Sequence, residues 1–163
     1  MRNKTQNLTR LSLAVTFALI LSFIESRIPA FVSVPGVKVG LANIAIIFML
    51  YKFGVKAAIT VSLIRVLLVS MLFGNFPSLF YSISGAVLSF MVMLTLKSLT
   101  PLKEVGVSIS GGISHNVGQI IAASILLETN VVVYYLPFLM VSGTIAGIVV
   151  GIVAALLIKR IKI

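Results

Sequence analysis

Basic residues in this chain fall almost entirely on one side of a repeated apolar pattern, and that asymmetry limits the fold more than any other feature. Apolar stretches long enough to cross a bilayer run over Leu8–Ile28, Val55–Phe73, Leu79–Leu96, Val105–Leu127 and Val131–Ile158, with a shorter one at Val39–Tyr51. If all six cross, Arg2, Lys4, Arg10, Lys52, Lys56, Lys97, Lys103, Lys159, Arg160 and Lys162 share one face, ten of the thirteen Lys and Arg residues. Arg27 and Lys38 keep to the other face, and Arg65 lies inside the third stretch. Cationic turns stay in the cytoplasm, so both termini face inward. The expected fold is all-α: a polytopic six-helix bundle of the cytoplasmic (inner) membrane, N-in and C-in.

Composition leaves little room for anything else. Each span takes about 20 apolar residues to cover a ~30 Å hydrocarbon core. Six spans consume most of a chain of 163 residues that is 60% hydrophobic with a mean hydropathy of +1.21. A single transmembrane domain over residues 1–163 is expected. The net charge of +10 is spread over helix ends and forms no patch, so it reads as orientation and not as nucleic-acid binding. The N-terminal run leads straight to Glu25 and Arg27 with no small-residue cleavage pattern, and reads as a retained first helix. In the absence of Trp, Tyr51, Tyr81, Tyr134 and Tyr135 supply the interfacial anchors at helix ends.

The connections differ in kind. Lys52-Phe53-Gly54, Lys97–Glu104 and Gly74–Ser78 are compact turns punctuated by Gly or Pro. Pro29–Lys38 is apolar yet carries two prolines and a glycine, and the stretch after it, thirteen residues long, reaches only ~20 Å as a helix. Loop and short helix read as one unit dipping into the outer half, where irregular backbone survives only when buried or lining a cavity. An apolar periplasmic loop is the alternative. Small residues recur at four-residue spacing along Gly143, Gly147, Gly151 and Ala155, along Ser110, Ser114, Gly118 and Ala122, and at Ala14 and Ala18. Such faces let helices pack closely in lipid.

Arg65 is the residue lipid tolerates least, costing about 2.5–3.5 kcal/mol at a helix centre on insertion scales. It needs either a carboxylate, with Glu25 and Glu128 in reach, or a wet cavity. Ser114, His115, Asn116 and Gln119 add an imidazole and two carboxamides on neighbouring turns of the fifth stretch. Asn43, Lys38 and Arg27 approach from the outer side. These residues form a candidate substrate site with a mild positive excess, suited to an anionic or strongly hydrogen-bonding small molecule. Interhelical hydrogen bonding is the competing use of the same side chains.

Several chemistries lack their residues. One His, no Cys and no Asp cannot build an ordinary catalytic zinc site, and no Walker A loop is present. Three scattered Glu cannot hold the Mg²⁺ of prenyl or phosphoryl transfer. Ser114 and His115 are sequential and do not face each other. The chain is not expected to be an enzyme, and no metal or cofactor is expected.

PGVKVGLANI (Pro35–Ile44), SISGAVLS (Ser82–Ser89) and SHNVGQI (Ser114–Ile120) resemble hallmark stretches of the Gx transporter family, also labelled heptaprenyl diphosphate synthase component I. That family resembles the substrate-binding S components of energy-coupling factor (ECF) transporters. The resemblance implies six helices, a first loop capping an outer pocket, and partnership with a transmembrane coupling subunit and two separate ATPase subunits. It also implies that Ala14 and Ala18 form the small-residue face that meets the coupling subunit. The alternative implied by the second label is a non-catalytic accessory subunit for heptaprenyl diphosphate or menaquinone side-chain synthesis, although the aspartate-rich motifs of prenyl synthases are absent.

Overall fold

The computed structural model describes residues 2–27, 40–74 and 76–161. Six α-helices occur among them: α1 (Arg2–Arg27), α2 (Asn43–Lys52), α3 (Val55–Phe73), α4 (Phe76–Leu99), α5 (Glu104–Leu126) and α6 (Leu136–Arg160). A 3-10 helix, Val131–Tyr135, precedes α6, and no strand is found among the described residues. The last apolar stretch is therefore not one helix. Pro137, which has no N–H to donate, sits in the first turn of α6, where that donor has no intrahelical use.

Four segments are long and apolar enough to cross a membrane: Lys4–Arg27, Val55–Phe73, Phe76–Leu99 and Val131–Arg160. This is the signature of a multi-pass membrane protein. The other two helices fall short for different reasons. α5 has the length, 23 residues, but Ser, Gly, His, Asn and Gln dilute its hydropathy. It packs most extensively on α4 and α6, so protein covers its polar side chains. α2 has only 10 residues, about 15 Å of helix. Ile44, Ala45, Ile46, Ile47, Met49 and Leu50 are all buried, and a helix apolar all round belongs in a core. α2 is that core, touched by α1, α3, α5 and α6.

Packing is tightest where side chains vanish. A Cβ on Gly147 would lie 2.5 Å from Ile109 Cα, and one on Gly112 2.5 Å from the Gly143 carbonyl oxygen. On Gly151 it would lie 2.7 Å from Val105 Cα. Thus α5 and α6 touch backbone to backbone along Gly143, Gly147 and Gly151, the approach that lets dispersion hold helices together in lipid. The small-residue pair on α1 is also used internally. Ala18 is 0% exposed, and Ala14 packs on the core cluster that includes Ala18, Leu50 and Ala58. For Ala18 this corrects the expectation of a face presented to a partner, whereas Ala14 is half-buried. The spacing marks a close-packed face, but α2 and α3 of the same chain occupy that side.

Candidate functional site

One cavity of about 170 Å³ is lined by residues from all six helices. For scale, a cavity of ~150 Å³ holds benzene, so this one suits a compact molecule. The lining comes from the C-terminal half of α1 (Ser22, Glu25, Ser26), the start of α2 (Asn43, Ile46, Ile47) and the second half of α3 (Arg65, Val66, Val69, Ser70, Phe73). α4 contributes Ser78, Ser82, Ser89 and Met93, α5 contributes Ser108, His115, Asn116 and Gln119, and α6 contributes Gly143, Ala146, Gly147 and Val150. The late halves of α1 and α3 and the starts of α2 and α4 open the cavity toward the end of the bundle that holds the C-terminus of α1, and on α4 and α5 it runs on past mid-helix to Met93 and Ser108. Lys52, Lys56, Lys97, Lys103, Lys159 and Arg160 sit at helix ends of the opposite pole.

Five residues singled out by sequence meet here: Asn43, Arg65, His115, Asn116 and Gln119. Their environments divide them. The Asn116 side-chain amide donates to the Leu139 carbonyl oxygen, tying α5 to α6. Arg65 Nε and Gln119 Oε1 are buried without a hydrogen-bond partner. Leaving a polar group so costs about 1–3 kcal/mol, and native proteins do so rarely. Glu25 accepts a hydrogen bond from the Gly40 N–H, which fixes the entry to α2, and it is the carboxylate whose charge acts on Arg65. Gly40 has φ +73°, a conformation that glycine adopts without strain.

His115 has its place because α4 offers no side chain there. A Cβ on Gly85 would lie 2.8 Å from the His115 carbonyl oxygen, 2.9 Å from its Cε1 and 3.0 Å from Gln119 Cγ. Gly118 returns the favour to α4, since its Cβ would approach the Ser84 carbonyl oxygen at 2.7 Å. Ser89 Oγ donates to the Gly111 carbonyl oxygen at 2.8 Å, across the same contact. The position of His115 and Gln119 is thus set by a glycine on a neighbouring helix.

Other expectations are corrected. Arg27 is exposed, stacks over the Phe23 ring at 4.9 Å and does not line the cavity. Ser114 turns back on its own helix, donating to the Ser110 carbonyl oxygen at 2.6 Å, and also lies outside the lining. Glu128 is exposed and does not line it. Lys38 lies outside the described residues. Sequence reasoning missed the hydroxyls: Ser22, Ser26, Ser70, Ser78, Ser82, Ser89 and Ser108 all line the cavity. A signal existed on α5, where 108, 111, 112, 115, 116 and 119 follow the three-and-four spacing of one helix face. On the other helices, single serines carry no comparable pattern.

A family model described as heptaprenyl diphosphate synthase component I matches residues 14–157. No curated protein matches the chain. No solved structure matches it either.

Proposed function

We propose that this chain, which belongs to the heptaprenyl diphosphate synthase component I family, is the substrate-binding component of an ECF-type uptake transporter. All six helices cross the cytoplasmic membrane with both termini inside, and the cavity receives a small molecule from the outer face. One observation carries this reading: Arg65 and Gln119 line a cavity shared by every helix, and Arg65 Nε and Gln119 Oε1 are buried and unpartnered. A bundle that needed these side chains only for packing would pair them, because unpaired polar atoms away from water oppose folding. The role is capture, not catalysis. A separate coupling subunit and two ATPase subunits would drive release inward. The exposed apolar surface of α1, including Leu13, Phe17 and Ile20, is available for lipid or for that subunit, whereas Ala18 is enclosed by its own chain.

The family's description favours a second reading, a non-catalytic accessory subunit of a prenyl diphosphate synthase. The two separate in one experiment. Wild-type and Arg65→Ala proteins are purified in mild detergent and examined by native mass spectrometry for retained small molecules and subunits. Uptake predicts a small molecule held by the wild type and lost in the variant, together with retention of a coupling subunit. Retention of a soluble synthase subunit, with no small molecule in either protein, would establish the accessory role instead. Cysteines at Lys103 and Lys159 should be labelled only from the cytoplasm, and one at Phe76 only from outside. Labelling of all three from one side would end the six-span topology.

A further inference from the structure

We propose that the cavity takes a compact, uncharged molecule that presents a hydrogen-bond acceptor to Arg65 and a donor to Gln119, as a carboxamide or cyclic imide on a single ring does. The proposal rests on the uptake reading above and narrows its substrate class. Arg65 Nε–H can only donate and Gln119 Oε1 can only accept; both atoms are buried without protein partners, and both residues line the same cavity. A ligand that relieves both must therefore carry both kinds of group.

Charge points the same way. The described lining holds one arginine and one carboxylate, Glu25, whose field already acts on Arg65. An added diphosphate would bring at least two negative charges against a cation already matched, and it would offer only acceptors, leaving Gln119 Oε1 unpaired. Buried charge without a partner is among the costliest arrangements in a protein. The apolar part of the lining, Ile46, Ile47, Val66, Met93 and Val150, supplies a face for a ring, and the volume suits one ring and not a long prenyl chain.

The test measures thermal unfolding of the detergent-purified full chain with nicotinamide, benzamide or uracil, and with nicotinate or isopentenyl diphosphate as contrasts. Binding to the folded state raises Tm in proportion to the logarithm of free probe above its Kd. At least one uncharged amide or imide should raise Tm in a concentration-dependent way, and nicotinate and isopentenyl diphosphate should not. Gln119→Met should abolish the response while its own Tm without probe stays at or above wild type, because the change removes an unpaired acceptor. A structural role for Gln119 would lower that Tm instead and overturn the proposal. It is also overturned if none of the three uncharged probes shifts Tm, which would leave water to satisfy the pair, or if isopentenyl diphosphate shifts it. A charged molecule found co-purifying would sink this inference and leave uptake standing. An amide response in a protein that never retains a coupling subunit would sink uptake and leave this inference standing.

Discussion

The two ends of this bundle are built to different rules. Toward the pole that carries the basic residues, Met49, Leu50, Ala58, Val61, Val107 and Ala154 are buried almost completely. Polar groups there find partners across helices: Lys97 Nζ donates to the Leu50 carbonyl oxygen at 2.7 Å and sits 4.6 Å from the centre of the Tyr51 ring. That contact closes the C-terminus of α2 with a cation, the favourable sign for a helix end. Toward the other pole the same helices turn serines, Asn43, Arg65 and Gln119 onto empty space. Ser22 Oγ, Arg65 Nε and Gln119 Oε1 are left without partners. Tyr51 Oη is the exception at the packed end, also buried and unpartnered. The difference teaches that close packing and unpaired polar groups are separated along the bundle: one end is filled, and the other leaves buried polar atoms unpaired beside a cavity.

The α5–α6 seam is the element common to both halves, so breaking it should erase the difference altogether. Gly147→Leu places a branched side chain where even a Cβ would stand 2.5 Å from Ile109 Cα. Backbone cannot yield as a side-chain tip can. The cost should reach or exceed the ~3 kcal/mol top of the usual overpacking range. Loss of monodisperse protein on size-exclusion chromatography is the expected result, and a normal melt would show that the helices are not in contact there.

The filled half should respond to lost volume. Leu50→Ala removes a side chain that is 0% exposed. Soluble cores lose about 2–5 kcal/mol for such a change. In lipid the transfer part shrinks because the surroundings are as apolar as leucine, so about 2–3 kcal/mol is expected, mainly from the cavity left behind. Ser82→Ala, in the cavity half, should change stability by less than ~1 kcal/mol, since no packed neighbour is lost. Equal losses in thermal melts of the two variants would contradict the division.

Ala18→Leu sharpens the boundary between the halves, since Ala18 is fully enclosed by its own chain. Overpacking there should destabilise the isolated protein by about 1–3 kcal/mol, whereas Leu13→Ala, on the exposed side of the same helix, should leave its melt almost unchanged. An Ala18→Leu protein with wild-type stability would return this face to an external partner.

How much of this was legible in the sequence depends on what each residue type constrains. Val55–Phe73 is a helix with the bounds its hydropathy gave, because long apolar runs between Gly residues leave few alternatives. Arg65 and Gln119 were legible as cavity residues because lipid penalises them wherever they go. The orientation of Ala14 and Ala18 was not, since four-residue spacing identifies a close-packed face without naming the helix that packs on it. The serines were invisible for a related reason. A hydroxyl can satisfy itself on its own helix, as Ser114 and Ser110 do by donating to carbonyl oxygens one turn earlier, so its presence demands no cavity. Nor could Gly85 be read as a determinant of His115, because the two meet only across the α4–α5 contact.

The smallest expected effect tests where the cavity half ends. Arg27 directly follows Ser26, the last lining residue of α1, but turns away to rest on Phe23, with its charged group 4.9 Å from the ring centre. An exposed cation–π pair contributes about 0.5–1 kcal/mol, and at the membrane surface the guanidinium reaches water without strain. Arg27→Ala should therefore lower Tm only slightly and leave the amide-probe response unchanged, in contrast to Arg65→Ala, which should remove it. The physical distinction is desolvation: the same guanidinium is worth little where water competes for it and a great deal where water is scarce. If Arg27→Ala abolished the response at nearly unchanged Tm, the ligand would have to reach past Ser26 to the mouth of the bundle. The site would then include cations beyond Arg65, and the argument for an uncharged ligand would lose its charge count.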